Sequence, residues 1–302
     1  MNVQDQTVSE SAPEADTQAP RNIIWLASYP KSGNTWLRVF INNLMDQVTG
    51  TSNQPHDINR LMQWSRRDAA RRDFEYQLGK SPEEATAAEI AAVRYEIQAN
   101  IARHARERVF MKTHNAVANV EGYSTINFDV TRGAIYLVRN PLDVAISFAS
   151  HMGQSIDETI EYMANPDATT ALASERLVYE FMSSWSLHVA SWFSVAHRPV
   201  LIVRYEDMLA ARDHTFGRIV SFLGLKASPE QIKRALDHSS FEKLAQQEAQ
   251  QGFVERPEKA DRFFRVGKAD QWKQVLTQTQ IEAILKTQGY MMMRCGYLET
   301  RC

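Results

Sequence analysis

Cysteine is nearly missing. The 302 residues contain two, Cys295 and Cys302, both at the C-terminal end. Two such residues make no disulfide framework, and the eight histidines include no HxxxH or HExxH pattern, so no metal site is expected. A reducing, cytoplasmic compartment is the natural expectation. A positive excess is also lacking: 34 Lys and Arg stand against 36 Asp and Glu, a net charge of −2. That excludes a global basic field for nucleic acid. No apolar run reaches the roughly 18 residues that span a bilayer. The opening stretch, MNVQDQTVSESAPEADTQAP, is acidic and polar and has no apolar segment of the kind a signal peptide needs. Residues 1–21 are therefore expected to be a disordered leader.

What is present is organised around Ile23 to Leu44, IIWLASYPKSGNTWLRVFINNL. Ile23-Ile24-Trp25-Leu26 is long enough for one buried strand. Trp36, Leu37, Phe40, Ile41 and Leu44 then recur at helical spacing. Between them lies Ser28-Tyr29-Pro30-Lys31-Ser32-Gly33. A strand, a short loop and a helix start in that order make an anion site, because free N–H groups and the helix dipole face the loop. Lys31 adds a charge, Gly33 permits close backbone approach, and Ser32 and Thr35 offer hydroxyls. The ATP-binding pattern G-x-x-x-x-G-K-[ST] places its Lys after the second Gly; here Lys31 precedes the only Gly.

Further strands are expected at Val109-Phe110-Met111, Gly133–Val138 and Val200–Val203. Ser81-Pro82-Glu83-Glu84 reads as the start of an Ala-rich helix within a charge-rich helical stretch, 58–108. Arg66, Arg67, Arg71 and Arg72 are taken as a solvated face. Helices are expected at about 156–164, 172–196, 207–223, 228–236 and 279–288, with a polar loop over 246–270. Apolar strands alternating with helices argue an α/β fold: a three-layer sandwich around a central parallel sheet. Ligands of such sheets bind beyond the carboxyl ends of the strands. Lys31, His114, Arg139 and Tyr205 each follow a strand.

Tyr29-Pro30-Lys31-Ser32-Gly33-Asn34-Thr35-Trp36 resembles the phosphosulfate loop, YPKSGTTW, of the sulfotransferases that use 3′-phosphoadenosine 5′-phosphosulfate (PAPS); it differs at Asn34. Lys112-Thr113-His114 is similar to that family's KTH segment. Arg139-Asn140-Pro141-Leu142-Asp143-Val144-Ala145-Ile146-Ser147 resembles its RNPxDVAxS segment. Arg204-Tyr205-Glu206-Asp207-Met208 resembles its YEDM segment, and Arg265–Lys273 has the spacing of RKGxxGDWK. There Val266 replaces a Lys and Asp270 replaces the second Gly, which puts the turn at that point in question because Asp pays to adopt a positive φ. The wording ASYPKSGNTWLR and LVRNPLD looks more bacterial than animal. The likeness runs through the chain after Arg21, one domain over 22–302, with 46–108 unmatched as a helical insertion beside the acceptor site.

The resemblance implies the following roles. Lys31, Ser32, Gly33, Asn34, Thr35 and Trp36 hold the 5′-phosphosulfate, with Trp36 near the adenine. Arg139 and Ser147 take the 3′-phosphate, joined by Arg265, Val266 and Gly267; Tyr205 and Phe241 approach the nucleotide. His114 is the general base, with Lys31 and Lys112 stabilising charge on the transferring group. No metal is required. The acceptor is a hydroxyl or amine of a small molecule, sugar or lipid, and a homodimer stays open. Asp143 reads as a helix cap or dipole partner, and His151, His188 and His197 as plain helix residues. A divergent P-loop nucleotide kinase and a non-catalytic nucleotide-binding protein are the competing readings. The Lys-before-Gly order and the KTH and RNP segments oppose the kinase.

Overall fold

The computed structural model describes residues 19–171, 174–257 and 260–298; the expected leader falls largely outside them. β1 (Ile23–Ser28) leads through the Lys31 loop into α1 (Asn34–Thr49). β2 (Ser65–Arg67), α2 (Arg71–Leu78) and α3 (Ala87–His104) precede β3 (Val109–Thr113). A small hairpin, β4 (Asn119–Val120) and β5 (Tyr123–Ser124), leads to β6 (Thr131–Val138), α4 (Pro141–Met152), α5 (Ile156–Ala164) and α6 (Trp185–Ser194). β7 (Val200–Arg204) is followed by α7 (Tyr205–Ala210), α8 (Arg212–Leu223), α9 (Pro229–His238) and α10 (Phe241–Gln251). The short α11 (Trp272–Val275) and α12 (Gln278–Arg294) end the described chain.

The central sheet has the order β2-β3-β1-β6-β7, and every pairing in it is parallel. Its middle strands are buried on both faces, which is why they read as continuous apolar runs. Ile23, Trp25 and Ala27 pack to one side with Tyr136, Trp185 and Trp192. Ile24 and Leu26 pack to the other with Phe40, Phe216 and Ile219. Alternate side chains of β1 thus feed two helical layers, as the strand period requires. From β1 the chain moves first to the β3 side and later to the β6 side. Connections leaving in opposite directions open a crevice above the carboxyl ends, where such sheets bind ligands.

Several local expectations give way. The helix expected from Ser81 begins at Ala87 instead, with Thr86 as its cap: Pro82–Glu84 is a single 3₁₀ turn, Ala85 is extended, and Thr86 with Glu89 forms a reciprocal capping box. That box satisfies two orphan N–H groups, whereas the Ser81 hydroxyl accepts from Arg71. The helix expected over 172–196 starts only at Trp185, capped by Ser184. The preceding chain makes long-range backbone bonds, Val178 N–H to Ala69 O and Ala116 N–H to Phe181 O, and Ser183 turns it at φ 56°. The expected 246–270 loop begins inside α10, and the last helix runs on to Arg294. The 46–108 segment is not wholly helical, since its β2 extends the sheet by pairing with β3.

Candidate active site

Strand register brings the site together. Ala27 pairs with Thr113, so the next residues, Ser28 and His114, stand side by side. His114 Nδ1–H donates to Ser28 O at 2.7 Å, which leaves Nε2 with the ring's lone pair. Its backbone is fixed at both ends: the N–H donates to Glu180 Oε1 at 2.6 Å, and the carbonyl accepts from His188 Nε2–H at 3.1 Å. His188 Nδ1 in turn accepts the Tyr136 hydroxyl at 2.9 Å. His188 is therefore more than a helix residue, because it holds the β3 end in place.

On the β1 side the loop is tightly wound. Lys31 sits at φ 65°, and Gly33 caps α1 at φ 100°. A Cβ on Gly33 would lie 2.7 Å from the Tyr205 ring, so only glycine lets the loop and the β7 end approach this closely. The Asn34 amide turns inward, donating to Leu26 O at 2.8 Å and Ser28 Oγ at 3.2 Å. Its side chain braces the loop against β1. The Trp36 ring meets those of Tyr205 and Phe216 edge-on.

Arg139 follows β6. It donates to Lys31 O at 3.0 Å and to Lys268 O at 3.2 Å, and it lies 4.4 Å over the Tyr205 ring. It thus joins the loops after β1, β6 and β7 to the 265–272 segment. Asp143 anchors that segment: its two oxygens accept the N–H of Asp270 at 2.8 Å and of Trp272 at 3.1 Å. Asp270 takes the left-handed conformation a glycine would take, φ 62°, and that bond to Asp143 goes with it. The turn questioned from the sequence is present, and Asp143 is its anchor beyond being a helix-start acid. Gly267, at φ 62°, lies where any Cβ would collide with the Phe241 ring.

These residues line one cavity of about 970 Å³. Lys31, Gly33, Asn34, Thr35, Trp36, Arg139, Ser147, Tyr205, Phe241, Arg265, Val266 and Gly267 line it, together with Lys112 and His114. Ser32 is fully buried in the same loop. The cavity is dense in positive charge around Lys31. Burial, then Arg139, Arg265 and Lys112, lower Lys31 to about 7. Burial, only partly offset by Glu180, lowers Lys112 to about 8. Burial, then Lys112, holds His114 well below 6.5, so the ring is neutral at physiological pH. Among the described residues none of Lys31, Lys112, Arg139 and Arg265 forms an ion pair, and buried Ser32 Oγ and Arg139 Nε have no partner. Uncompensated cations and orphaned donors around a helix start fit a polyanion with two phosphate groups.

The sulfotransferase domain model matches residues 21–296. The chain belongs to the PAPS-dependent sulfotransferase family. Its activity class is that of a sulfotransferase, and the family's sulfo donor is PAPS. A flavonol 3-sulfotransferase of Flaveria bidentis is 24% identical over 295 residues, covering 90% of this chain and 82% of that protein. Sulfotransferase 1A1 of Canis lupus familiaris is 24% identical over 287 residues, covering 93% and 87%. In fold the chain is similar to mouse sulfotransferase SULT7A1 complexed with PAP, with a TM-score of 0.60 and 19% identity over 91% of this chain and 86% of that one. It is equally similar to retinol dehydratase in a complex with retinol and PAP, with a TM-score of 0.60 and 19% identity over 94% and 83%.

Four residues in or behind the cavity of this sulfotransferase escape motif reading: Glu180 and Glu255 line it, while Arg38 and His188 bond to Glu255 and to the His114 carbonyl. Glu255 sits half-buried between Arg38 and Arg67 and is held at about 2, since Arg38, Arg67 and Lys112 together outweigh its burial. Arg67 lines the cavity, whereas Arg66 pairs with Asp73 and Arg71 with Glu75, as a solvated face would. Glu180 and Glu255 were hinted at by composition, as lone acids in the apolar stretches LVYEFM and GFVERP. His151, expected to be inert, accepts from Lys31 Nζ at 3.3 Å. His197 stays exposed beside Ser194.

Proposed function

We propose that the protein transfers the sulfo group of PAPS to a hydroxyl or amine of a small-molecule, sugar or lipid acceptor, with His114 as general base. The observation that carries this is the fixed tautomer of His114: Nδ1 is committed to Ser28 O, so the basic Nε2 is the nitrogen left for the acceptor. His114 takes the acceptor's proton at Nε2 as the acceptor oxygen or nitrogen bonds to sulfur. The bond from sulfur to the bridging phosphate oxygen breaks, and PAP leaves. Lys31 and Lys112 stabilise charge on the sulfo oxygens and the leaving phosphate. The N–H groups of the Ser32–Thr35 turn and the Ser32 hydroxyl hold the 5′-phosphate. Arg139 and Ser147, with Arg265, Val266 and Gly267, hold the 3′-phosphate, and Trp36, Tyr205 and Phe241 enclose the nucleoside. One catalytic domain over 22–302, of bacterial cytoplasmic type, belongs to this reading, and so does an acceptor space edged by the 46–108 segment. It takes its support from the motif wording, the two cysteines and the placement of Arg67.

Labelled PAPS offered with phenols, alcohols, amines and sugars tests the reading. Label transfer to one class is expected, with a loss of about a hundredfold or more in kcat for His114→Ala and little change in PAP affinity. Near-normal turnover in that variant removes the base assignment, and tight binding of ATP without PAP binding restores the kinase reading.

A further inference from the structure

Beyond the donor residues, the cavity holds a carboxylate with one oxygen unused. Glu180 is 4% exposed and lines the cavity. Its Oε1 accepts the His114 N–H. Its Oε2 has no partner among the described residues, yet it is not among the polar atoms sealed from solvent, so it opens onto the cavity. Among the described residues no cation lies within ion-pair distance of it. Arg67 and Arg38 are taken by Glu255, and Arg94 by Asp68. Lys112 is near enough for Glu180 to raise its pKa but does not pair with it. A carboxylate nine-tenths buried with a free oxygen is costly unless a donor, above all a cation, completes it. Nothing in the donor chemistry does so, because the donor is anionic. Among the described residues no group completes it, which leaves that place to a group of the acceptor.

We infer that Glu180 is a specificity residue that receives an ammonium group next to the reacting hydroxyl, so that amino alcohols are the preferred acceptors. This rests on the sulfotransferase reading above. Apolar walls complete the fit. Phe148, Leu177, Met182 and Phe263 line the same cavity and suit an apolar body beyond the polar head. Lys112 is then left to the sulfo oxygens, and bound nucleotide phosphates offset the positive charge of the cavity.

The test is calorimetric, on the full chain loaded with PAP at neutral pH. The probes are phenylglycinol, styrene glycol, in which a hydroxyl replaces the ammonium, and phenethyl alcohol, which has neither. Phenylglycinol is expected to bind tighter than either by on the order of tenfold or more. Glu180→Gln keeps an amide oxygen for the His114 N–H and removes the charge; it is expected to abolish the preference, with PAP binding as the check that the variant is folded. Equal binding of the three by the unaltered protein, tighter binding of the diol, or no binding of any overturns the proposal without reference to a variant. A preference that survives Glu180→Gln also overturns it. Failure of PAP itself to bind is a different result, and it removes the sulfotransferase reading instead.

Discussion

Lys31 shows how one residue couples binding to pH. In the free protein its ammonium loses its proton at about 7, through burial and the cations around it. A bound phosphate favours the charged form and raises that value. Above about pH 7, binding must therefore take up a proton, and affinity falls as pH rises. The dissociation constant of PAP is expected to rise by up to about tenfold per pH unit above that point. Calorimetry in buffers of different ionisation heat counts the protons; Lys31→Met should bind weakly with a flatter profile. A flat profile in the unaltered protein would show that Lys31 does not meet the phosphate. The residues that carry charge were legible here because each follows an apolar strand in a short motif. Glu180 and His188 were not, since their roles depend on a backbone bond to His114, made 66 and 74 residues away in sequence.

At the scale of elements, the 265–272 segment depends on α4. Two backbone N–H groups, those of Asp270 and Trp272, end on the Asp143 carboxylate, which is 2% exposed. Removing it leaves both donors unpaired and frees Asp270 from a backbone conformation unfavourable to its side chain. Asp143→Ala is expected to cost about 2 kcal/mol in denaturant unfolding, to speed proteolysis within 265–272, and to weaken PAP binding. Unchanged PAP affinity would mean that the segment does not contribute to the donor site. Sequence reading located both motifs and missed the bond between them. It found the strands well, because burial on both faces leaves a continuous apolar signature. It misplaced α3 and α6, because helix starts there were settled by a capping box and by long-range backbone bonds that compete with local propensity.

For the whole molecule, the proposed donor site is the point where loops from β1, β6 and β7 meet, and Arg139 touches all of them. A ligand that bridges those loops should stabilise the fold as a unit. At a hundredfold excess over its dissociation constant, PAP is expected to add about 2.7 kcal/mol to unfolding, seen as a rise of several degrees in Tm. Arg139→Ala should lose most of that rise with PAP and little of the smaller rise given by adenosine 5′-phosphate, which lacks the 3′-phosphate. Equal losses with the two ligands would refute the 3′-phosphate role of Arg139.

The sequence by itself determined the alternation of buried strands and helices, the strand-end placement of Lys31, His114, Arg139 and Tyr205, and the family that these motifs carry. All of those are local: periodicity, a short loop, and residue order within a few positions. Tertiary structure decided the rest. Parallel register put Ser28 beside His114 and so chose its tautomer; Asp143 made Asp270 serve where a glycine was expected; and Glu180, from a segment that reads as helix, arrived at the cavity with one oxygen free. Pairing across strands and the burial of a charge are properties of contacts far apart in the chain, and no window of sequence contains them.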